Sequence, residues 1–235
     1  CGDCCGGCNV GAKNTVALTY LPDAARHGAH LFTEAMVRSL ARRRDGLWQV
    51  RIRRLDGTNG DASEIALTAE MVILAAGTLG STEILLRSAA EGLPLSPQLG
   101  ERFSANGDII AFGYGANMPV NAIGTGYPPR IELEGCVGAC VSGQVELRND
   151  TDLAQELTVQ EGVLPSALAP ILPVLFMPNG RLLGAVQSLI NGVYKGPFSR
   201  LQTFFAVSHD TSTGRLVLDG DRVTVSWPGA RDEPV

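Results

Sequence analysis

One short stretch narrows the possible folds more than any other: an apolar hexapeptide that runs into a glycine. Met71–Ala76 reads MVILAA, Gly77 follows, and Ser81–Ser88 (STEILLRS) has a helical spacing that turns Ile84, Leu85 and Leu86 inward. A continuous apolar run of that length predicts a strand covered on both faces. A buried strand that passes through a glycine into a helix presents backbone N–H groups at the helix N-terminus. Those donors and the helix dipole favour an anion such as a diphosphate. Gly77 has no side chain, so a cofactor can approach the backbone there, and Thr78 and Ser81 are available as caps or hydroxyl donors. Strand–glycine–helix turns also occur in folds that hold no ligand. The fuller G-x-G-x-x-G fingerprint is absent, because GYG at 113–115 and GTG at 124–126 lack the third glycine.

The neighbouring sequence extends this into an α/β layout. Helical spacing over Lys13–Arg26 offers Val16, Leu18, Tyr20, Leu21 and Ala24–Ala25 as a buried stripe, and Gly28 supplies a stop. Strand-like runs follow at His30–Thr33, Trp48–Leu55 and, after a turn at Gly60–Ser63, Glu64–Thr68. Beyond about residue 110, glycine and proline become frequent and helical periodicity fades. Phe204–Ser208 and 214–227 alternate as strands, with Asp219–Gly220–Asp221 where a hairpin turn belongs. The expected organisation is two domains, residues 1–112 and residues 113–235, the second mainly antiparallel β.

With 235 residues, 45% of them hydrophobic, the chain can build a real core. Its net charge of −5 gives no general attraction to nucleic acid, and no nucleic-acid partner is expected. Seven arginines fall between Arg38 and Arg54; around Gln49–Leu55 they alternate with Val50 and Ile52, as on a solvated strand face. No apolar run reaches the ~18–20 residues needed to span a bilayer. The longest candidate, Val163–Met177, is broken by Pro165, Pro170 and Pro173. It reads as buried loops and turns, or as an apolar wall facing a greasy ligand. The chain starts on a cysteine without an initiator Met and stops at RDEPV just after a strand-like run, so an internal fragment is expected.

The opening CGDCCGGC holds Cys1-x-x-Cys4 and Cys5-x-x-Cys8, which abut instead of standing a dozen residues apart as tetrathiolate zinc pairs do. A structural thiol turn, an iron–sulfur or zinc site and disulfides all remain open, with Cys136 and Cys140 far off in the other half. So many thiols lean towards a reducing compartment, the cytoplasm. Histidines are scarce: His27 and His30 flank Gly28, and His209–Asp210 follows the strand-like FFAVS. No three histidines and carboxylates share metal-ligand spacing, and no G-x-S-x-G elbow is present, so hydrolase and metallohydrolase readings lose ground.

Taken together, several stretches resemble the glucose–methanol–choline (GMC) flavin oxidoreductases, in their cholesterol-oxidase-like branch. CGDCCGGCNVGAKNT with TYLPDAARHGA resembles the family's cysteine–glycine–GAKNT segment; VILAAGTLGSTEILLRS resembles its second signature; LGERFSANGD (99–108) is similar to the N-G segment that follows. EGVLPSAL, FFAVSHD and RLVLDGDRVTVSWPG resemble the substrate-domain strands. The resemblance implies part of an FAD-binding βαβ-type domain with an antiparallel meander, followed by an antiparallel substrate domain. It implies FAD as cofactor, held near Val37, Ala76, Gly77, Thr78, Ser81, Asn106 and Gly107, with the cysteine segment a packing element and no metal. It also implies a hydrophobic alcohol or sterol substrate, oxidised by hydride transfer to flavin N5 while a base takes the hydroxyl proton, and peripheral membrane contact to extract it. The family's G-x-G-x-x-G loop belongs upstream of Cys1 and its active-site histidine downstream of Val235. For the glutamate that sterol oxidases carry on a substrate-domain strand, Glu161 and Gln202 lie in suitable regions; Phe204, Phe205 and His209 are pocket candidates. Two other classes stay open: a metal protein using Cys1, Cys4, Cys5 and Cys8, and a non-catalytic ligand-binding α/β domain.

Overall fold

The computed structural model describes residues 11–55, 64–120, 122, 143–164, 171, 186 and 197–229. The cysteine block, Gly60–Ser63, Gly124–Gly126, Cys136, Cys140 and all of 163–177 except Val163, Leu164 and Ile171 lie outside the described residues. The chain divides into two compact units, one of Asp23–Ala105 and Thr211–Pro234, the other of Cys1–Pro22, Asn106–Asp210 and Val235. A single cut near residue 112 assigns 214–227 to the second half, whereas the contacts group these residues with 23–105.

In the first of these units, β1 (Ala35–Arg42), β2 (Trp48–Arg54) and β3 (Glu64–Ala69) form an antiparallel meander in that order. The period-two alternation read around Val50 and Ile52 explains it: Ile52 is buried opposite Val37 and Ile65, and Val50 stands between Leu40 and Leu67. Arginines take the other positions. Arg51 binds Glu91 at 2.8 Å, and the Arg42 guanidinium lies 4.9 Å from the Trp48 ring centroid. The β1–β2 register shifts between Val37 and Ser39, so Arg38 is the extra residue of a bulge, a device that re-aims a side chain. It is re-aimed onto Asp221.

Helix α2 (Gly77–Ala90) packs on β1 and on the hairpin β8–β9 (Arg215–Asp219, Arg222–Ser226). Its buried face carries Ile84, Arg87 and Ser88, with Leu85 and Leu86 half-buried. Ser88 Oγ accepts the Leu40 N–H at 2.8 Å and donates to the Ile84 carbonyl at 2.7 Å, so the helix satisfies a β1 edge group. Arg87 is tolerated inside because its Nε and Nη2 are engaged: it bonds Glu83 one turn back, and Asp221 through carbonyl and carboxylate. Glu83 in turn accepts the Val223 N–H at 2.8 Å. The hairpin turn falls where expected, Asp219 pairing Arg222 with Gly220 at φ 58°, as a two-residue turn led by glycine requires.

Three sequence expectations are corrected here. Met71–Ala76 is not a buried strand: β3 ends at Ala69, no described strand flanks the run, and Met71 and Ile73 are 75% and 82% exposed. A two-sided strand needs ladder partners on both edges, and hydrophobicity alone does not supply them. Lys13–Arg26 is not one helix but a 3₁₀ turn at Val16–Leu18 followed by α1 (Tyr20–Arg26). Pro22 lacks an N–H and fits only a helix's first turn, so the helix begins afresh at Tyr20; Val16, Leu18, Tyr20 and Leu21 are exposed. His30–Thr33 is irregular, because Glu34 takes φ 55° and the strand begins only at Ala35.

The other unit contains a four-stranded antiparallel sheet in the order β4–β7–β6–β5, from β4 (Ile109–Gly113), β5 (Gln144–Leu147), β6 (Leu157–Gly162) and β7 (Gln202–Val207). Its interior gathers around Leu201, Thr203, Val163 and Ala122, all buried. The 116–122 segment is tied in through the backbone, Val120 N–H to Ser199 O at 2.7 Å and Leu164 N–H to Ala122 O at 2.6 Å. Every strand pair among the described residues is antiparallel, giving a mixed α/β chain with antiparallel sheets. No helix among them is long and apolar enough to cross a membrane.

Candidate functional site

A helix begins at Gly77 as the sequence suggested, although the strand before it is missing. Gly77 has φ 72°, a conformation that disfavours any side chain, and a Cβ built there meets nothing within 4 Å. No side chain caps α2, and no acidic residue stands in its first turn. The first-turn N–H groups of the helix thus have no side-chain cap, and the space beside Gly77 is open, a setting in which a diphosphate could be bound. Ser81 Oγ accepts the Ala76 N–H at 3.1 Å, which braces the turn from inside, while Ala76 and Thr78 are exposed at its rim. Position 80 is also close-packed, since a Cβ there would lie 3.0 Å from that of Ala76. These residues fit the anionic end of a dinucleotide. Val37 sits elsewhere in this unit, at the β1 bulge, and β1 meets the far end of α2, through Ser88 and Glu91.

Asn106 and Gly107 fall in the other unit, and there the structure joins two motifs that the sequence keeps apart. Both adopt left-handed φ, 59° and 55°. Ser208 N–H donates to Asn106 O at 2.9 Å, Ser208 Oγ donates to Gly107 O at 3.2 Å, and Gly107 N–H faces Asp210 Oδ2 at 3.4 Å. A Cβ at Gly107 would come within 2.3 Å of Ser208 Oγ, so only glycine allows the contact. The NGD and SHD segments thus clasp each other. His209 is exposed beside them and lines a cleft of about 430 Å³ together with Glu146, Arg148, Glu156 and Thr158. Leu147, Leu157 and Val207 also line it, but charged and polar side chains predominate, which suits a greasy ligand poorly.

Glu161, Gln202 and Phe204 come together on one sheet face. Phe204 stands directly opposite Glu161 on β6 and Ala111 on β4, and Gln202 opposite Gly113. The rest of this face is apolar: Ile109, Val145, Leu147, Val159 and Ala206 share it by register. No donor among the described residues bonds the Glu161 carboxylate, whereas the Gln202 amide donates to the Thr203 carbonyl at 3.2 Å. The His209 cleft takes in residues from both faces at this end of the sheet, Leu147 and Leu157 from the Glu161 face and Glu146, Thr158 and Val207 from the other, but Glu161, Gln202 and Phe204 do not line it. The sequence pointed to Gly113 only as part of an incomplete GYG fingerprint and to Gly162 not at all; the two lie beneath Phe204 and Phe205. Glycine inside a strand pattern, a sign of close approach, was the available signal. No trio of His, Cys, Asp or Glu among the described residues is arranged to hold a metal.

A family model described as GMC oxidoreductase matches residues 1–106. A cholesterol oxidase of Mycobacterium tuberculosis (strain CDC 1551 / Oshkosh) is 30% identical over 192 residues, which is 81% of this chain and 28% of that protein. The strain ATCC 25618 / H37Rv has a cholesterol oxidase that matches equally. An uncharacterized GMC-type oxidoreductase of the CDC 1551 strain is 36% identical over 94 residues, 40% of this chain and 14% of the relative. The chain thus spans less than a third of the length of these curated relatives.

Proposed function

We propose that this chain, which a GMC oxidoreductase model matches over residues 1–106, carries part of an FAD-dependent enzyme of that kind, one that oxidises the CH–OH group of a bulky hydrophobic alcohol, a sterol in particular. The observation that supports this most is the apolar sheet face with a single carboxylate, Glu161, beside Phe204 and Gln202. FAD, when bound, supplies the acceptor for the hydride that leaves the carbinol carbon. The turn at Ala76–Ser81 offers its N–H donors to the diphosphate, and Gly77 leaves room for close approach. Glu161 accepts the hydroxyl proton as the carbonyl forms, a general-base role for which an unpartnered carboxylate on an apolar face is suited. Ile109, Val159 and Phe204 orient a fused-ring or long-chain body, and that body, once bound, excludes water from the carboxylate. Extraction of such a substrate from a lipid surface follows from its insolubility, and the enzyme works there as a peripheral visitor.

Steady-state rates of the full-length protein on cholesterol against short polar alcohols test the substrate class; exclusive turnover of short alcohols refutes it. Glu161→Gln tests the base. A drop in kcat of about 10²–10⁴ with flavin absorbance retained is expected, and a loss below about threefold overturns the assignment.

A further inference from the structure

We propose that Gly113 is a specificity-determining position, acting through Phe204 to keep the face around Glu161 open to a bulky substrate. The inference rests on the reading of that face as substrate-facing. Phe204 occupies the second strand of the sheet, with a neighbour on each side, and its ring can lean over either one. It leans over β4. A Cβ at Gly113 would stand 3.3 Å from Phe204 Cε2, so the ring fills the place where a side chain at 113 would be. Phe205 does the mirror of this on the opposite face: a Cβ at Gly162, on β6, would lie 1.9 Å from its ring. Each of the two adjacent aromatics thus lies on a glycine of a different neighbouring strand.

A glycine within a strand forfeits conformational entropy and packing surface, so it calls for a compensating contact, and here an aromatic ring supplies one. The consequence for the face is asymmetric. With its ring held towards β4, Phe204 leaves the carboxylate of Glu161 uncovered on β6. A methyl at 113 requires the ring to yield by a few tenths of an ångström; a branched side chain removes the space altogether. Displaced from β4, the ring moves towards β6, where Glu161 stands directly opposite. A bulky alcohol then loses its room over the carboxylate, whereas a two- or three-carbon alcohol keeps enough.

The test is a double-mutant cycle in the full-length, flavin-loaded enzyme with Gly113→Val, Phe204→Ala and both together. Read-outs are kcat and KM for cholesterol and for propan-2-ol, and the Kd of a non-reactive sterol ketone by equilibrium binding. Gly113→Val is expected to raise the cholesterol KM and the ketone Kd about tenfold, with kcat and the propan-2-ol kcat/KM within about twofold. In the Phe204→Ala background the same substitution should change the sterol parameters less than about twofold, because no ring remains to be displaced. If Gly113→Val does not fold, Gly113→Ala carries the test with a shift of about threefold in the same direction. Equal losses on both alcohols, or a sterol effect that persists without Phe204, overturn the inference while leaving the proposed function standing. A wild-type enzyme that oxidises propan-2-ol and ignores cholesterol overturns both.

Discussion

Replacing Glu83 by alanine should loosen the β8–β9 hairpin from α2 by about 3 kcal/mol. Glu83 makes two bonds, one oxygen accepting the Val223 N–H at 2.8 Å and the other the Arg87 guanidinium. The first is a charge-assisted bond to a β9 backbone group, worth about 1.5–3 kcal/mol. The second joins side chains that are 22% and 8% exposed. Breaking a buried pair outright costs about 3–5 kcal/mol, but Arg87 keeps Asp221, so about 1 kcal/mol is the expected share. Glu83→Gln retains an acceptor for Val223 and should cost about half as much. Amide exchange of Val223 reads the opening directly, and 3 kcal/mol corresponds to about a hundredfold faster exchange. Burial pushes the Glu83 carboxyl up, but the Val223 N–H and the Arg87 guanidinium together pull it below its ordinary 4.5. Its stabilisation is therefore complete above pH 4.5 and fades as pH falls through the depressed folded value. The gap between wild type and Glu83→Ala should close in that acid range. An alanine variant within about 0.5 kcal/mol of wild type at pH 7 refutes this account of how the hairpin is held.

Ser88→Ala strands the Leu40 N–H at a fully buried site and should cost about 1–3 kcal/mol in a urea titration, whereas an exposed alanine substitution such as Ser96→Ala should not. Gly77→Val forces a β-branched residue to φ 72° and should release flavin from the full-length protein, seen as lost visible absorbance. Retained flavin of normal stoichiometry contradicts the diphosphate role of that turn.

Local signals in the sequence were reliable where one element satisfied itself. The Trp48–Leu55 alternation, the Asp219–Gly220–Asp221 hairpin and the helix after Gly77 all lie within a residue or a turn of expectation, because period and turn chemistry suffice for them. The failures came where partners decide. Met71–Ala76 has the composition of a central strand, but no described strand pairs with it; Pro22 splits a helical pattern that hydrophobic spacing alone would continue. Site residues followed the same rule. That Asn106–Gly107 meets Ser208–Asp210 depends on a contact across about a hundred residues, which no local pattern encodes. Glu161 and Phe204 become neighbours only through the β6–β7 register. Gly113 and Gly162 were visible as glycines, but not as the beds of two rings.

The order in which the ribosome releases this chain gives the Asp221 turn an added meaning. Arg87 and Glu83 emerge early, while Asp221 and Val223 appear only after the whole 106–210 segment has been made. During that interval α2 carries a guanidinium whose later lodging does not yet exist, and the nascent meander stays open along that helix flank. The hairpin is the closing piece, so a truncation or ribosome stall before residue 221 should yield a chain in which the unit built around α2 is left unsealed.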